Sequence, residues 1–194
     1  LPLEPVPACR VLIDGEIRAL DIGQVDGRSF IGIASLGFDS VANRLANEAP
    51  PWLGQQVYTY AALRALMGWK HATFTIESEE GTRSVRGWSV GAANSKAYGG
   101  GMFVAPHAEL DDGLLDVVAL GACSKRRFLT GILPRVFKGT HVAEPEVSVQ
   151  RAREVRISAD RPFTVYADGD PIGDLPVTIR AVPRALDVLC PRPS

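Results

Sequence analysis

Residues 147–189, VSVQRAREVRISADRPFTVYADGDPIGDLPVTIRAVPRALDVL, hold five short apolar runs and no helical period. The runs are Val147 to Val149, Val155 to Ile157, Phe163 to Ala167, Val177 to Ile179 and Ala185 to Leu189. Each is too short for a helix and is rich in β-branched residues, so the stretch reads as successive strands. Strands joined without a helix between them pair antiparallel, because a parallel crossover needs a dozen or more residues.

Reading outward from there, Thr73 to Glu77 and Ser84 to Ala93 form two more strands around the turn Glu79-Glu-Gly81. Near the start, Asp14-Gly15 and Asp26-Gly27 sit between alternating apolar positions and predict hairpins over Arg10 to Ile17 and Ala19 to Ile33. Before them, Leu1 to Pro7 reads as an extended, linker-like segment without a methionine. Helical spacing is confined to three places. Asp39 is placed to cap a helix to about Ala49, with Val41, Leu45 and Ala46 on one face and Pro50 and Pro51 ending it. Residues 55–68 carry an apolar stripe of Val57, Tyr60, Ala61, Leu63 and Met67 edged by Arg64, and Ser124 to Phe137 makes a third helix that Pro134 should kink or end. About a dozen short strands against three helices predict a mainly β protein with some α, an antiparallel β-sandwich or barrel-like lobe with the helices grouped on one side.

The 194 residues, 46% of them hydrophobic, suffice for one large domain with its own core. With 21 Lys and Arg against 22 Asp and Glu, the net charge of −1 gives no reason to expect a nucleic acid partner. No apolar run approaches the roughly 20 residues of a membrane span, and no signal segment is seen at the start, so a cytoplasmic chain is expected. Cys9, Cys123 and Cys190 are too scattered for a disulfide framework or a zinc site, which fits a reducing compartment.

Chemistry concentrates in two acidic turns and one glycine run. Gly99, Gly100 and Gly101 follow Asn94 and weaken any regular element, as bare backbone does where it must approach something closely. Alternatively they form a flexible turn. Asp111-Asp112-Gly113 can cap free amides or hold a cation, and Tyr166-Ala-Asp-Gly-Asp170 is either a plain hairpin turn or a second acidic site. His71, His107 and His141 are solitary and read as surface or packing residues.

Several motifs occur in an order known from one family. They are Phe30 to Asp39 (FIGIASLGFD), Tyr58-Thr-Tyr60, Ala93-Asn94 with the triple glycine and Met102, and Ala105-Pro106. Leu110 to Asp116 (LDDGLLD), Gly139-Thr-His141, Asp168-Gly169 and the closing Ala185 to Pro191 (ALDVLCP) complete the series. The chain thereby resembles, over nearly its whole length, the C-terminal lobe of bacterial diacylglycerol kinases and related lipid kinases, the group that includes sphingosine kinases.

The resemblance implies that residues 1–194 are the lipid-substrate and catalytic lobe of a two-lobe kinase, and that an N-terminal lobe with a Gly-Gly-Asp-Gly-Thr nucleotide loop is absent from this sequence. ATP would be the co-substrate, bound through that missing lobe, and a diacylglycerol or related lipid the acceptor. The family's general base is the glutamate of an Asp-Gly-Glu turn, a position held here by Asp170, one methylene shorter. Structural magnesium would be held by the carboxylate of Asp112 with the backbone carbonyls of Glu109 and Leu114, and a second magnesium requirement would come with ATP. Asn94, Gly99, Gly100 and Gly101 would wall the phosphates or the lipid head. Peripheral membrane contact, and self-association through the surface the missing lobe leaves bare, follow as expectations. A NAD kinase relative shares the two-lobe plan, but its Thr-Gly-Ser-Thr-Ala-Tyr stretch does not occur here. A lipid-binding module without catalysis is the reading from a different class.

Overall fold

The computed structural model describes residues 4–97 and 101–192. It opens with a helix, α1 (Pro5–Asp14), followed by β1 (Glu16–Val25), β2 (Arg28–Phe30) and β3 (Ile33–Gly37). Two helices, α2 (Phe38–Asn47) and α3 (Val57–Gly68), precede β4 (Ala72–Ser78), β5 (Gly81–Ala93) and β6 (Leu115–Gly121). A broken helix comes next, with α4 (Lys125–Arg127) running through a π turn (Phe128–Ile132) into α5 (Leu133–Val136). The chain closes with β7 (Val147–Ala152), β8 (Glu154–Ala159), β9 (Thr164–Ala167), β10 (Asp170–Asp174) and β11 (Val177–Cys190).

All strand pairings among the described residues are antiparallel, in the order β10-β9-β3-β5-β4-β8-β11-β1-β2, with β6 and β7 branching from β5. The result is a nearly closed, barrel-like sheet, as the run of helix-free strands requires. Strand β5 is the branch point. Residues 81–87 pair with β4, while residues 89–93 lie between β3 and β6, and the register slips between Gly87 and Ser89. Any side chain at Gly87 would put its Cβ 2.1 Å from the Leu120 carbonyl, so the crossing of the two halves depends on that glycine.

One aromatic cluster joins the helices to the inside of the sheet. Trp88 is fully buried and stacks on Phe128 at 4.2 Å, and Phe38 meets Trp69, Trp88 and Phe128 edge-on at 5.2–5.6 Å. A smaller core of Ile33, Ala93, Ala105, Ala108 and Val118 forms where the segment after Gly101 folds back over the sheet. This second core brings the Asp111-Asp112 turn against β1 and β6.

Several expectations are corrected. The segment read as a linker and a hairpin over Arg10 to Ile17 is α1: Pro5 and Pro7 lie in the first turn, where a missing N–H costs nothing. Gly15 ends that helix by close approach, its N–H donating to Val11 O at 2.9 Å where a Cβ would sit 2.3 Å from the same oxygen. Asp39 does not cap α2. The cap position belongs to Gly37, whose φ of 91° turns the chain out of β3, and Asp39 lies in the first helical turn. The stripe expected on α3 is buried only at Ala61, while Tyr60, Leu63 and Met67 are exposed, because the helix packs through Ala61, Ala65 and Leu66. Finally, β10 was absent from the strand reading, and the runs at 177–179 and 185–189 are the two halves of one bent strand, β11.

Pro134 ends no helix, because the preceding π turn leaves the chain helical through Val136. The broken helix is held to the sheet by ions. Arg127 pairs with Glu144 and with Glu146 (2.9 Å), and Arg135 reaches the same Glu144 at 2.8 Å. The Arg127 guanidinium in turn holds the Glu146 carboxyl below the ordinary carboxylate range.

Candidate functional site

The turn between β9 and β10 is tight, with Asp168 at φ 53° and Gly169 at φ 99°. Both angles are those of a two-residue hairpin connection, in which Asp and Gly are the residues that tolerate positive φ. Asp168 does more than turn. Its carboxylate accepts three successive backbone N–H groups, from Ile31 (2.8 Å), Gly32 (2.9 Å) and Ile33 (3.1 Å). Gly32 permits this, since a Cβ there would stand 2.5 Å from Asp168 Oδ1. From α2, Asn47 Nδ2 donates to the Gly169 carbonyl at 3.3 Å and fixes the turn from the other side. Asp170 follows as the first residue of β10, exposed, across the turn from Ala167.

The loop that Asp168 clamps is gripped from behind by Asn94. Fully buried at the end of β5, Asn94 donates from Nδ2 to the carbonyls of Ile31 and Asp21, both at 2.9 Å, and from its backbone N–H to Gly32 O at 2.9 Å. Its Oδ1 is buried and has no partner among the described residues. Gly99 and Gly100 lie outside the described residues. Gly101 is exposed at φ 91° with nothing within 4 Å of a notional Cβ, so within this chain its role is conformational rather than a close approach.

Asp21 extends the chain of contacts to the second acidic turn. It is 1% exposed, and its two carboxylate oxygens accept from the backbone N–H of Gly113 (2.6 Å) and of Arg184 (2.7 Å), while its own N–H donates to Leu110 O (2.7 Å). Arg184 has φ 52°, and the pairing of β1 with β11 slips between Leu20 and Ile22, so this carboxylate sits where both strands are irregular. The sequence reading passed over Asp21. Its signal was an acidic residue between Leu20 and Ile22 in a strand, a position that burial makes expensive unless the charge is bonded.

Asp112 accepts the N–H of Leu114 at 3.0 Å and pairs with Arg151, whose Nε lies 3.8 Å from Asp116. Asp111 pairs with Arg18 at 3.0 Å on the outside. Burial pushes the Asp116 carboxyl above its ordinary value, a shift that the Arg151 charge partly offsets. Among the described residues no three His, Cys, Asp or Glu side chains converge on one point. One carboxylate with backbone carbonyls and waters is a ligand set that suits a hard ion such as magnesium. With Leu114 and Arg151 already bonded to that carboxylate, such an ion would share it with the guanidinium.

The two acidic turns are thus parts of one hydrogen-bonded assembly, running from Asp168 through residues 31–33 and Asn94 to Asp21 and the turn at 110–113. Beside it, α2, α3 and the segment leading into β9 enclose a groove of about 700 Å³. Val41, Leu45, Trp69 and Phe163 give it apolar walls, Arg44, Glu48, Arg64, Lys70, Arg161 and Asp174 add charge to its lining, and Tyr166 connects it to the strand that leads into Asp168. In the first turn of α2, Asp39, half-buried overall, has its carboxyl pushed up to about 6 by burial, with the Ser89 hydroxyl opposing the shift. The histidines pack or face solvent. His141 is 4% exposed and donates from Nε2 to Val104 O at 3.0 Å, burial lowering its basicity, and His71 donates to Cys123 O at 3.1 Å. His107 is exposed.

The profile of the family described as "YegS C-terminal NAD kinase beta sandwich-like domain" matches residues 32–190. A diacylglycerol kinase of Mycobacterium tuberculosis is 34% identical over 194 residues, covering 97% of this chain and 62% of the relative. One from Staphylococcus carnosus is 25% identical over 195 residues, covering 99% and 63%. The chain therefore spans about three fifths of the length of these curated relatives. A solved structure of a diacylglycerol kinase from Bacillus anthracis superposes with a TM-score of 0.68 at 12% identity, over 98% of this chain and 60% of that one, which shows a shared fold.

Proposed function

The chain belongs to the family of YegS C-terminal NAD kinase β-sandwich-like domains, and on that footing we propose that it is the acceptor-side lobe of an ATP-dependent lipid kinase that phosphorylates a hydroxyl of diacylglycerol or a related lipid. The observation that carries the reading is the hydrogen-bonded assembly that fixes the Asp168-Gly169-Asp170 turn against residues 31–33, Asn94 and Asp21. Phosphoryl transfer depends on positioning, and a base carried on a rigid turn meets that need. Asp170 is the general base in this proposal. It takes the proton of the lipid hydroxyl as the oxygen bonds to the γ-phosphorus and ADP departs.

Asp168 then acts as a positioning residue, since its three amide contacts hold the turn that presents Asp170. Asn94 and Gly101 are assigned to the wall beside the lipid head, and the groove along α2 and α3 shelters an acyl chain. Magnesium at Asp112, with the carbonyls of Glu109 and Leu114, would neutralise charge in the second turn and hold it shut. ATP is assigned to a nucleotide-binding lobe outside these residues, and the site works at a peripheral membrane contact in the cytoplasm.

The test is made in the complete protein. Asp170→Asn should cut turnover about a hundredfold or more with ATP affinity near its original value, and Asp170→Glu should retain or raise activity. Full activity in the Asn variant would move the base elsewhere. A wild-type protein that co-purifies with diacylglycerol yet never phosphorylates it would leave the lipid-binding module as the better reading.

A further inference from the structure

A second cleft, of about 480 Å³, adjoins the first groove, with which it shares Trp69, Lys70 and Arg161, and lies between the end of α3, the start of β4, the middle of β5 and the start of α4. Its charged lining is Lys70, Arg86, Lys125 and Arg161, with no carboxylate among the lining residues. None of these four cations lies within ion-pair distance of an acid among the described residues. Two are instead held by neutral groups. Lys125 Nζ donates to Met67 O at 3.0 Å, and Arg161 donates to Lys70 O while its guanidinium lies 5.3 Å over the Trp69 ring and 5.1 Å over Phe163. Carbonyls and rings orient a cation without cancelling its charge.

The floor is equally fixed. Trp88 Nε1–H and His71 both donate to the Cys123 carbonyl, at 3.2 and 3.1 Å. Trp69, 7% exposed, contributes a buried indole N–H with no acceptor among the described residues. In a protein whose charges otherwise nearly balance, four uncompensated cations gathered around aromatic walls favour an anion of high charge density with several acceptor oxygens.

We propose that this cleft binds a phosphate group, as a site separate from the Asp168 assembly. Such a group reaches the protein either free in solution or as an anionic lipid headgroup. The lipid source is favoured by the surroundings. The side chain of Met67, whose carbonyl holds Lys125, is 77% exposed, Leu63 one turn earlier is 54% exposed, and neither is needed for packing α3. Apolar side chains beside a phosphate-binding cleft match the layering of a bilayer surface.

The test uses this chain with three probes: vesicles of phosphatidylcholine alone, vesicles of phosphatidylcholine mixed with phosphatidylglycerol, and inorganic phosphate. Vesicle binding is read by co-sedimentation and phosphate binding by tryptophan fluorescence, since Trp69 and Trp88 line the cleft. The expected result is salt-sensitive binding to the anionic vesicles and none to the neutral ones. Arg86→Ala with Lys125→Ala should weaken it about thirtyfold, about fivefold for each cation removed near an anionic surface. Arg86→Lys with Lys125→Arg should preserve it. Fluorescence change with inorganic phosphate, lost in the double alanine variant and unaccompanied by vesicle binding, would support the cleft with a soluble ligand. Equal binding to neutral vesicles, no loss in a double alanine variant whose melting curve matches wild type, or no response to any probe would overturn the proposal. Because the readout is binding, its failure leaves the kinase reading untouched, and the converse also holds.

Discussion

Replacing Asp168 by alanine removes the acceptor of three backbone N–H groups at once, those of Ile31, Gly32 and Ile33. A hydrogen bond to an ionised carboxylate contributes about 1.5–3 kcal/mol when sheltered, but the Ile31 and Gly32 contacts are exposed and water can replace them. Counting roughly 0.5–1 kcal/mol for each exposed contact and about 1.5 for the part-buried Ile33 contact gives about 2.5–3.5 kcal/mol. Alanine must also adopt the φ of 53° that aspartate holds here, which adds about 1 kcal/mol. The expected loss is therefore about 3.5–4.5 kcal/mol, near the upper range for a single substitution. Asparagine keeps one acceptor oxygen and tolerates the same φ, so Asp168→Asn should lose no more than about half of that. Urea denaturation measures both values at constant m, and amide exchange locates them, with faster exchange at residues 31–33 in either variant. An alanine variant within about 1 kcal/mol of wild type, or unchanged exchange at residues 31–33, would refute the clamp.

Three further outcomes are expected. If magnesium sits at Asp112, chelation should lower the melting temperature and Asp112→Ala should abolish the sensitivity; identical curves for both proteins with and without magnesium would leave Asp112 as a cap for Leu114 and partner of Arg151 alone. Asp39, raised by burial from 3.8 to about 6, binds its proton more tightly folded than unfolded, so it lowers stability as pH rises from about 4 to 6. Asp39→Asn should flatten that slope and stabilise the protein above pH 6 by at most about 3 kcal/mol; an unchanged slope in pH-dependent denaturation would contradict the burial argument. This chain alone should form no phosphatidic acid from ATP and diacylglycerol, and clear turnover would mean that the nucleotide site lies within these residues after all.

The helix-free run at 147–189 sufficed for an antiparallel barrel-like sheet, because strand sequence between short turns admits few other packings. Local signals failed where two causes compete. Asp14-Gly15 has hairpin composition, yet Pro5 and Pro7 favour a helix start just upstream, and Gly15 serves a helix end instead. On α3 the larger apolar residues suggested the buried face, but the small ones allow α2 to approach. The candidate site was legible as two acidic turns and an asparagine. Their union was not, since it depends on Asp21 and on contacts between residues more than a hundred positions apart, such as Asp168 with Ile31.

The π turn at Phe128–Ile132 lets this region absorb a one-residue change in chain length. In an unbroken α-helix, residues eight apart are about 80° out of line, so Arg127 and Arg135 could not both face one acceptor. The π turn takes up an extra residue and brings them round to the same carboxylate, Glu144. Deleting one residue from 128 to 132 would restore regular helix with the two arginines seven apart, about 20° out of line, so that both would still face Glu144. A homologue lacking one residue here can therefore secure its helix to the sheet by the same ion pairs, and its alignment gap would mark the absence of the π turn rather than a change of electrostatic wiring.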